Sequence, residues 1–545
     1  MTFLNVSLSG TVAGLWAEFI RIIVTIFRPW SDYVLDYFYG LVMGKTKPLP
    51  PITDPILLMS ATELTERIRK KQLTSVEVVK AYVSRSKAVH PYINAAVDQR
   101  YENALRDAKA VDEFLASAQK SVEEIARDTP LLGVPFTCKE SIGVKGMTQT
   151  SGLVRARGRV AKEDSPTAAL YRKSGAIPLT VTDVPELCMW WESSNHLYGL
   201  TKNPYDNTRT VGGSSGGEGA IITSGGALFG IGNDIAGSIR MPSSFCGIYG
   251  HKPSRGVINN FGTYPFCHVK FSDEPDGSKE FVSTGPMCRY VQDVPLLFKI
   301  LSDSDPKIQW NKQVDFRKVK LYYIEEFPGI LHAATPDVKN SIKKAVKHFK
   351  DEYSIEATPL RMDELKMAFH VWEQKLLESS PVAFRDLMAD KRPGQEDKTI
   401  NLWLEFFKNL VGCSDHTMPA IFFGMVDKRD KDPFYHECLE TFKTIQAKFA
   451  KIFNDQEDAI LLVPTHPEPP PHYLMTIPMY PNIAYTCIFN ILGFPSSQIP
   501  AGLSRGAPIG IQAISGQFKD HLTVATAVEL DKVFGGWISP CSVDV

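Results

Sequence analysis

The chain has 545 residues, a formal net charge of −1, 43% hydrophobic and 22% charged residues. At about 100 to 200 residues per domain, that length predicts several domains or one oversized α/β unit, and the composition excludes a disordered or collagen-like chain. The near-neutral charge provides no basic field for nucleic acid, and nine scattered cysteines without a Cys-x-x-Cys or Cys/His cluster supply neither a disulfide framework nor a zinc site.

The first segment, residues 1–45, differs from the rest. The run from Thr11 to Phe27 is apolar except for Glu18 and Arg21, which stand one helical turn apart and can partly neutralise each other on a helix face. It is at the short limit for crossing a bilayer, where a central charge costs about 2.5 to 3.5 kcal/mol. An interfacial helix and a core helix are the rival readings. Trp30, Tyr33, Tyr37, Phe38 and Tyr39 follow, as expected at a headgroup layer. An N-terminal apolar helix that attaches the chain to a membrane, spanning or lying on it, is the expectation. Residues 46–56 are proline-rich and read as a stiff linker.

From residue 57 onwards, helical and strand signals alternate. Ser60 with Glu63 and Thr74 with Glu77 fit capping boxes, so helices are expected to begin near Ser60 and Thr74. A longer amphipathic helix is expected from Asn94 to Ala118. Short apolar runs bounded by glycine or proline precede Lys139 and start at Ala176, Lys320 and Ala459, each the size of a buried strand. The alternation predicts an α/β protein with a large mixed, mostly parallel central sheet flanked by helices. Residues Asn401 to Met425 are unusually apolar, with Trp403, Phe406, Phe407, Ile421, Phe422 and Phe423 around Lys408 and Asp415. They predict a helical hairpin that is either core or a membrane-dipping cap or the mouth of a lipid channel.

Two glycine-rich segments carry the chemistry, Gly212–Ala220 (GGSSGGEGA) and Asp234–Pro242 (DIAGSIRMP). Glycine at this density suits a phosphate cradle or a hole of peptide N–H groups. A phosphate loop is disfavoured, since Glu218 stands where Walker chemistry needs a lysine. Gly212–Gly216 also satisfy G-x-S-x-G, the nucleophile elbow of α/β-hydrolases. That fold needs a histidine downstream, and His466, His472 and His521 carry no local mark. The first two sit among prolines and read as surface residues.

Lys139 directly after an apolar run, Ser214 in the first glycine loop and Ser238 in the second together resemble the amidase signature family. The resemblance runs from about Leu57 to the C-terminus. It includes LLGVPFTCKESIGVKG around Lys139, TKNPYDNTRTVGGSSGGEGA, NDIAGSIRMPSSFCGIYGHKPSRG and STGPMCRYVQD. The apolar N-terminus, Glu218 and the segment ELCMWWESSNHLYG are most similar to the fatty-acid amide hydrolase branch, its second, shorter-anchored type in particular. The resemblance implies the amidase signature fold over 57–545, no metal and no organic cofactor. It implies that Ser238 is the nucleophile that becomes acylated, that Ser214, held through a cis peptide from Gly213, relays its proton to Lys139, and that Ser215 supports the network. Such a lysine works only when neutral, which burial achieves by lowering its pKa.

Ile235, Ala236, Gly237 and Ser238 are expected to present N–H groups to the oxyanion. Ala236 departs from the family's D-x-G-G-S pattern, which tolerates it only if this position does not need a positive φ. Asp234 and Arg240 are expected to hold the turn. Cys188, Met189 and Trp191, in a segment that borders the substrate in the family, are apolar enough for a long acyl chain. The implied reaction is hydrolysis of long-chain fatty acid amides, primary amides or N-acylethanolamines, to fatty acid and amine. The partners are a lipid amide and a membrane, endomembrane or lipid droplet, without nucleic acid, and a homodimer is the assembly suggested. The alternatives are an amidase for small or aryl amides, an ammonia-producing amidotransferase subunit, and a catalytically silent membrane scaffold.

Overall fold

The computed structural model describes residues 46–265, 281–329, 332–380, 382–391, 399–427, 431–454 and 457–545, preceded by residues 33–42 and a few isolated positions from Phe27 to Gly44. Among the described residues the strands are β1 (Ala96–Gln99), β2 (Pro135–Lys139), β3 (Ile177–Thr182), β4 (Ser194–Asn195), β5 (Gly199–Leu200), β6 (Phe229–Asp234), β7 (Tyr249–Lys252), β8 (Ser283–Cys288), β9 (Lys320–Tyr323), β10 (Thr358–Pro359), β11 (Ala459–Pro464), β12 (Ser496–Ser504) and β13 (Ala507–Ile514). Eleven form one sheet in the order β1-β3-β2-β6-β8-β7-β12-β13-β11-β9-β10, and β4 and β5 pair separately. The four apolar runs read as strands coincide, to within one or two residues, with β2, β3, β9 and β11.

The sheet is mixed, as expected, with helices packed against it. Parallel pairing is confined to two stretches, β3–β2–β6 and β11–β9–β10, and the ladders between them are antiparallel. At β12 and β13 the reason is local. Arg505 and Gly506, both at positive φ, form the two-residue turn that joins an antiparallel pair. β2, β3, β6, β8 and β11 are buried along their whole length, so they lack a polar face and read as continuous apolar or small-residue runs.

Ser60 caps the helix Ala61–Arg69, and Thr74 closes a reciprocal capping box at the start of Ser75–Ile93. The helix expected over Asn94–Ala118 is corrected. Its first residues form β1, antiparallel to β3, and the helix runs only over Tyr101–Ala116. The proline-rich stretch expected as a linker lies against the body: Ile52 is fully buried and pairs with Ser542 and Asp544, and Arg85 donates to the carbonyls of Pro50 and Pro51.

Among the described residues no helix is long and apolar enough to cross a membrane. The run from Thr11 to Phe27, on which the expected anchor rests, lies outside the described residues except for Phe27. The segment 33–42 after it is helical and docks through Asp36, which pairs with Arg209 at 2.7 Å and with His472 at 2.8 Å. Tyr33, Tyr37, Phe38 and Leu41 remain exposed. The expected hairpin is present as the helices Leu402–Leu410 and Met418–Val426. It is neither wholly core nor wholly surface. The first helix leaves Trp403 63% and Phe407 60% exposed, while Ile421 of the second is fully buried.

Candidate active site

β2, β3 and β6 run parallel and end side by side, which places Lys139, Thr182 and Asp234 at one rim of the sheet. In such sheets the loops leaving the strand ends form the crevice where ligands bind. The helix Gly216–Thr223 leads into β6 and is buried at every position, so its first turn, with Ser214 and Ser215 just ahead of it, is driven onto this rim. Gly217 makes that approach feasible, because a Cβ there would lie 2.4 Å from the Asp183 nitrogen.

Lys139 is fully buried. Its Nζ donates to Ser214 Oγ at 2.6 Å and to Asn233 Oδ1 at 2.6 Å. Burial pulls the amine below its ordinary pKa, since the charged form is the one that loses hydration. The Gly213–Ser214 peptide is cis. Ser215 N–H donates to the Ser238 carbonyl at 3.1 Å, and its hydroxyl donates to the Asn233 carbonyl at 3.4 Å, so it joins the two glycine loops. Asn233 was not foreseen from the sequence. Its only signal is its position beside Asp234, at the end of a strand that neighbours the lysine strand.

The Ser238 loop is held from within. Asp234 and Arg240 are both fully buried and meet at 3.0 Å through both carboxylate oxygens. Burial alone would raise the Asp234 carboxyl, but the Arg240 charge and hydrogen bonds hold it well below the usual carboxylate range. Arg240 also donates to Asn490 Oδ1 at 2.6 Å and Gln512 Oε1 at 3.0 Å.

One member of the expected anion hole is corrected. The Gly237 N–H donates to Asp234 Oδ1 at 2.7 Å and is therefore engaged within the loop. The N–H groups of Ile235, Ala236 and Ser238 make no hydrogen bond among the described residues. The Ile235 carbonyl accepts from Trp372 Nε1 at 3.0 Å. In a trans peptide C=O and N–H point oppositely, so this bond turns the Ala236 N–H the other way. Ala236 is not at positive φ, which removes the condition set by its replacement of glycine. Gly237 is at φ 131°, where a side chain would be strained and its Cβ would lie 2.3 Å from Thr486 Oγ1.

Ser238 is 7% exposed and lines an apolar cavity with Cys188, Met189 and Trp191, from the segment expected to border substrate, and with Ile235 and Ala236. Gly213, Trp190, Trp372, Phe422, Phe423 and Val426 line it as well. Phe422 and Phe423 belong to the apolar stretch whose expected alternatives include the mouth of a lipid channel, and the packing of the hairpin puts them on the cavity wall.

The histidines are corrected too. His466 and His472 are buried. His466 packs against Trp191 and Phe245, and His472 stacks on Tyr39 at 4.4 Å and bonds Thr208. The prolines around them draw the loop onto the body through the Arg209 bond to the Pro470 carbonyl. Among the described residues neither Ser214 nor Ser238 bonds a histidine, so no elbow-type triad forms. No group of three or more His, Cys, Asp or Glu side chains among the described residues is placed to hold a metal.

Glu218 and Glu140 are two further fully buried carboxyls. Glu218 accepts from Thr137 at 2.6 Å and Thr182 at 2.8 Å, and burial pushes its carboxyl up to about 8. Glu140 receives Thr150 and, at 2.7 Å, the Ser151 N–H, and burial raises it as well.

A sequence model of the amidase family matches residues 77–524. The chain is 40% identical over 506 residues to fatty-acid amide hydrolase 2-A of Danio rerio, covering 90% of this chain and 92% of that protein. It is 37% identical over 517 residues to fatty-acid amide hydrolase 2 of Homo sapiens, covering 92% and 94%. A solved fatty acid amide hydrolase superposes with a TM-score of 0.69 at 22% identity over 93% of this chain and 89% of the other, a likeness of fold.

Proposed function

The chain belongs to the amidase family and is an amide-hydrolysing enzyme; from that premise we propose that it cleaves long-chain fatty acid amides through an acyl-enzyme on Ser238. The observation that carries the reading is the 2.6 Å contact of a wholly buried Lys139 with Ser214, beside a second serine on the wall of an apolar cavity.

A serine hydroxyl needs a base within hydrogen-bond reach. Neutral Lys139 turns its lone pair to the Ser214 hydroxyl, reversing the direction of that hydrogen bond, while an N–H remains on Asn233 Oδ1. Ser214 passes basicity to Ser238, whose Oγ bonds to the amide carbon as its proton moves through Ser214 to Lys139. The oxyanion then forms against the N–H groups of Ile235, Ala236 and Ser238. Collapse breaks the C–N bond, and the same proton returns through Ser214 to the leaving nitrogen. Water repeats the sequence on the acyl-enzyme and releases the fatty acid.

The apolar cavity favours a long acyl chain over a polar amide. The exposed Trp403, Phe407, Tyr37 and Phe38 supply an apolar surface suited to a lipid interface, from which such a substrate is delivered. Attachment to a membrane surface is part of the reading. A fluorophosphonate probe tests the chemistry: labelling of the wild type is expected to vanish in Ser238→Ala, and its persistence would remove the nucleophile. Turnover of oleamide is expected to exceed that of glutamine and short aryl amides, and the reverse order would favour the small-amide alternative.

A further inference from the structure

The helix Met418–Val426 reaches the cavity with Phe422, Phe423 and Val426, and the turn Glu186–Cys188 leads into Met189, Trp190 and Trp191 on the same cavity. These two walls come from segments far apart in the chain, and one buried carboxylate spans them. Glu186 Oε1 accepts from His416 Nδ1 at 2.6 Å, and Oε2 accepts from the Thr417 N–H at 2.7 Å and its hydroxyl at 3.0 Å. Glu186, His416 and Thr417 are all buried.

The chemistry of the contact is one-directional. Carboxylate oxygens accept, so the contact is assigned as a donation from His416 Nδ1, and the His416 Nε2 has no partner among the described residues. Thr417 is the N-cap of the cavity helix, accepting from the Ala420 N–H at 3.4 Å. A carboxylate on that cap satisfies N-terminal donors and suits the positive end of the helix. On the other side, Leu187 and Cys188 are both held at positive φ, and the Leu187 N–H donates to the Ser151 carbonyl at 2.7 Å. The Ser151 N–H in turn donates to Glu140, the neighbour of Lys139 in the chain. The hairpin is thus referenced to the lysine strand through Glu186, while the Lys139–Ser214 contact itself contains no atom of the latch.

We propose that Glu186, with His416 and Thr417, is a positioning latch that sets the spacing of the two cavity walls and so selects for long acyl chains. The proposal rests on the lipid-amide reading. A short acyl group at Ser238 needs the near loop alone, whereas a long one must pack against the helix as well.

The test compares butanoyl and dodecanoyl para-nitroanilides on the full-length chain, with Glu186→Ala, His416→Ala and Glu186→Gln. In the alanine variants, KM for the dodecanoyl substrate is expected to rise roughly tenfold, the scale of a lost buried hydrogen-bond partner, with kcat held within about twofold. Butanoyl kinetics and fluorophosphonate labelling are expected to stay at the wild-type level. Glu186→Gln is expected to restore most of the selectivity, since its amide oxygen still accepts from Thr417 and its amide N–H can face the other tautomer of His416. A long-chain preference that survives in labelled, folded His416→Ala and Glu186→Ala overturns the latch alone. Should Glu186→Ala fail to fold, unchanged selectivity in His416→Ala does so. A wild type without any long-chain preference overturns the lipid-amide reading, and the latch with it.

Discussion

Around Lys139 and Ser238 the protein is built from strand ends and glycine turns whose polar groups are tied many times over. Asp234 alone receives the Gly237 and Ile239 N–H groups, the Arg240 guanidinium and the Asn490 amide. The hairpin of Leu402–Leu410 and Met418–Val426 is built the opposite way. It meets the body through apolar side chains, the Glu186 carboxylate and a bond from Phe384 N–H to Asp427, and leaves much of its first helix in the open. Directional bonds hold reacting atoms within tenths of an ångström, which acyl transfer requires. Apolar packing tolerates displacement, which suits a wall that must admit a long, flexible chain.

If that division is right, substitutions in the first region should abolish chemistry and those in the second should alter selectivity or surface binding. The largest effect is expected for Ser238→Ala, a fall in turnover of roughly 10^4-fold or more with no acyl-enzyme trapped in mass spectra. Next is Lys139→Ala, with a loss of about 100- to 10,000-fold at neutral pH. Burial holds the amine below its ordinary pKa, and only the neutral amine is a base. Wild-type kcat/KM should therefore decline as pH falls through that lowered value, and this acid limb should be absent from the residual activity of the variant. Gly237→Ala, at φ 131° and against Thr486, should lower turnover about 100-fold and cost about 1 to 3 kcal/mol of stability, read from urea unfolding.

Smaller still is Glu218→Gln. Burial raises the Glu218 carboxyl to about 8 from an ordinary 4.5, so the folded state binds a proton that the unfolded chain releases earlier. That contribution to stability is complete below about 4.5 and is lost as pH rises through about 8. Urea midpoints of the variant should decline less over this interval, with turnover within about threefold of wild type. Last comes Phe407→Ser on the exposed helix. It should change stability by less than about 0.5 kcal/mol and leave short-amide hydrolysis intact, while weakening flotation with phosphatidylcholine vesicles. A collapse of short-amide turnover in this variant would erase the distinction between the two regions.

The contrast also separates what could be read from the chain. The starts at Ser60 and Thr74 were legible because a cap is a bond to a residue three positions on. β1 was not, because Ala96–Gln99 becomes a strand only by pairing with β3, and its local pattern is that of the helix that follows. Lys139 after an apolar run, with Ser214 and Ser238 in two glycine-rich loops, stood out as a pattern that resembles the amidase signature. Asn233, which shares the lysine, and Glu186, which meets His416, carry no mark of their kind, since each is defined by a partner distant in sequence. His466 and His472 were misplaced at the surface for the same reason, as burial of a loop depends on what it packs against.

The amino-acid sequence by itself determined the residue types that the chemistry needs, the glycines that let backbone approach backbone, and the local ends of helices, all of which act over a few positions. Only the tertiary structure decided that the lysine would be dry, that Gly237 would spend its N–H on Asp234, and that an apolar hairpin would supply a cavity wall. Hydration, hydrogen-bond partnership and wall spacing are properties of neighbours in space, and neighbours in space are what folding creates.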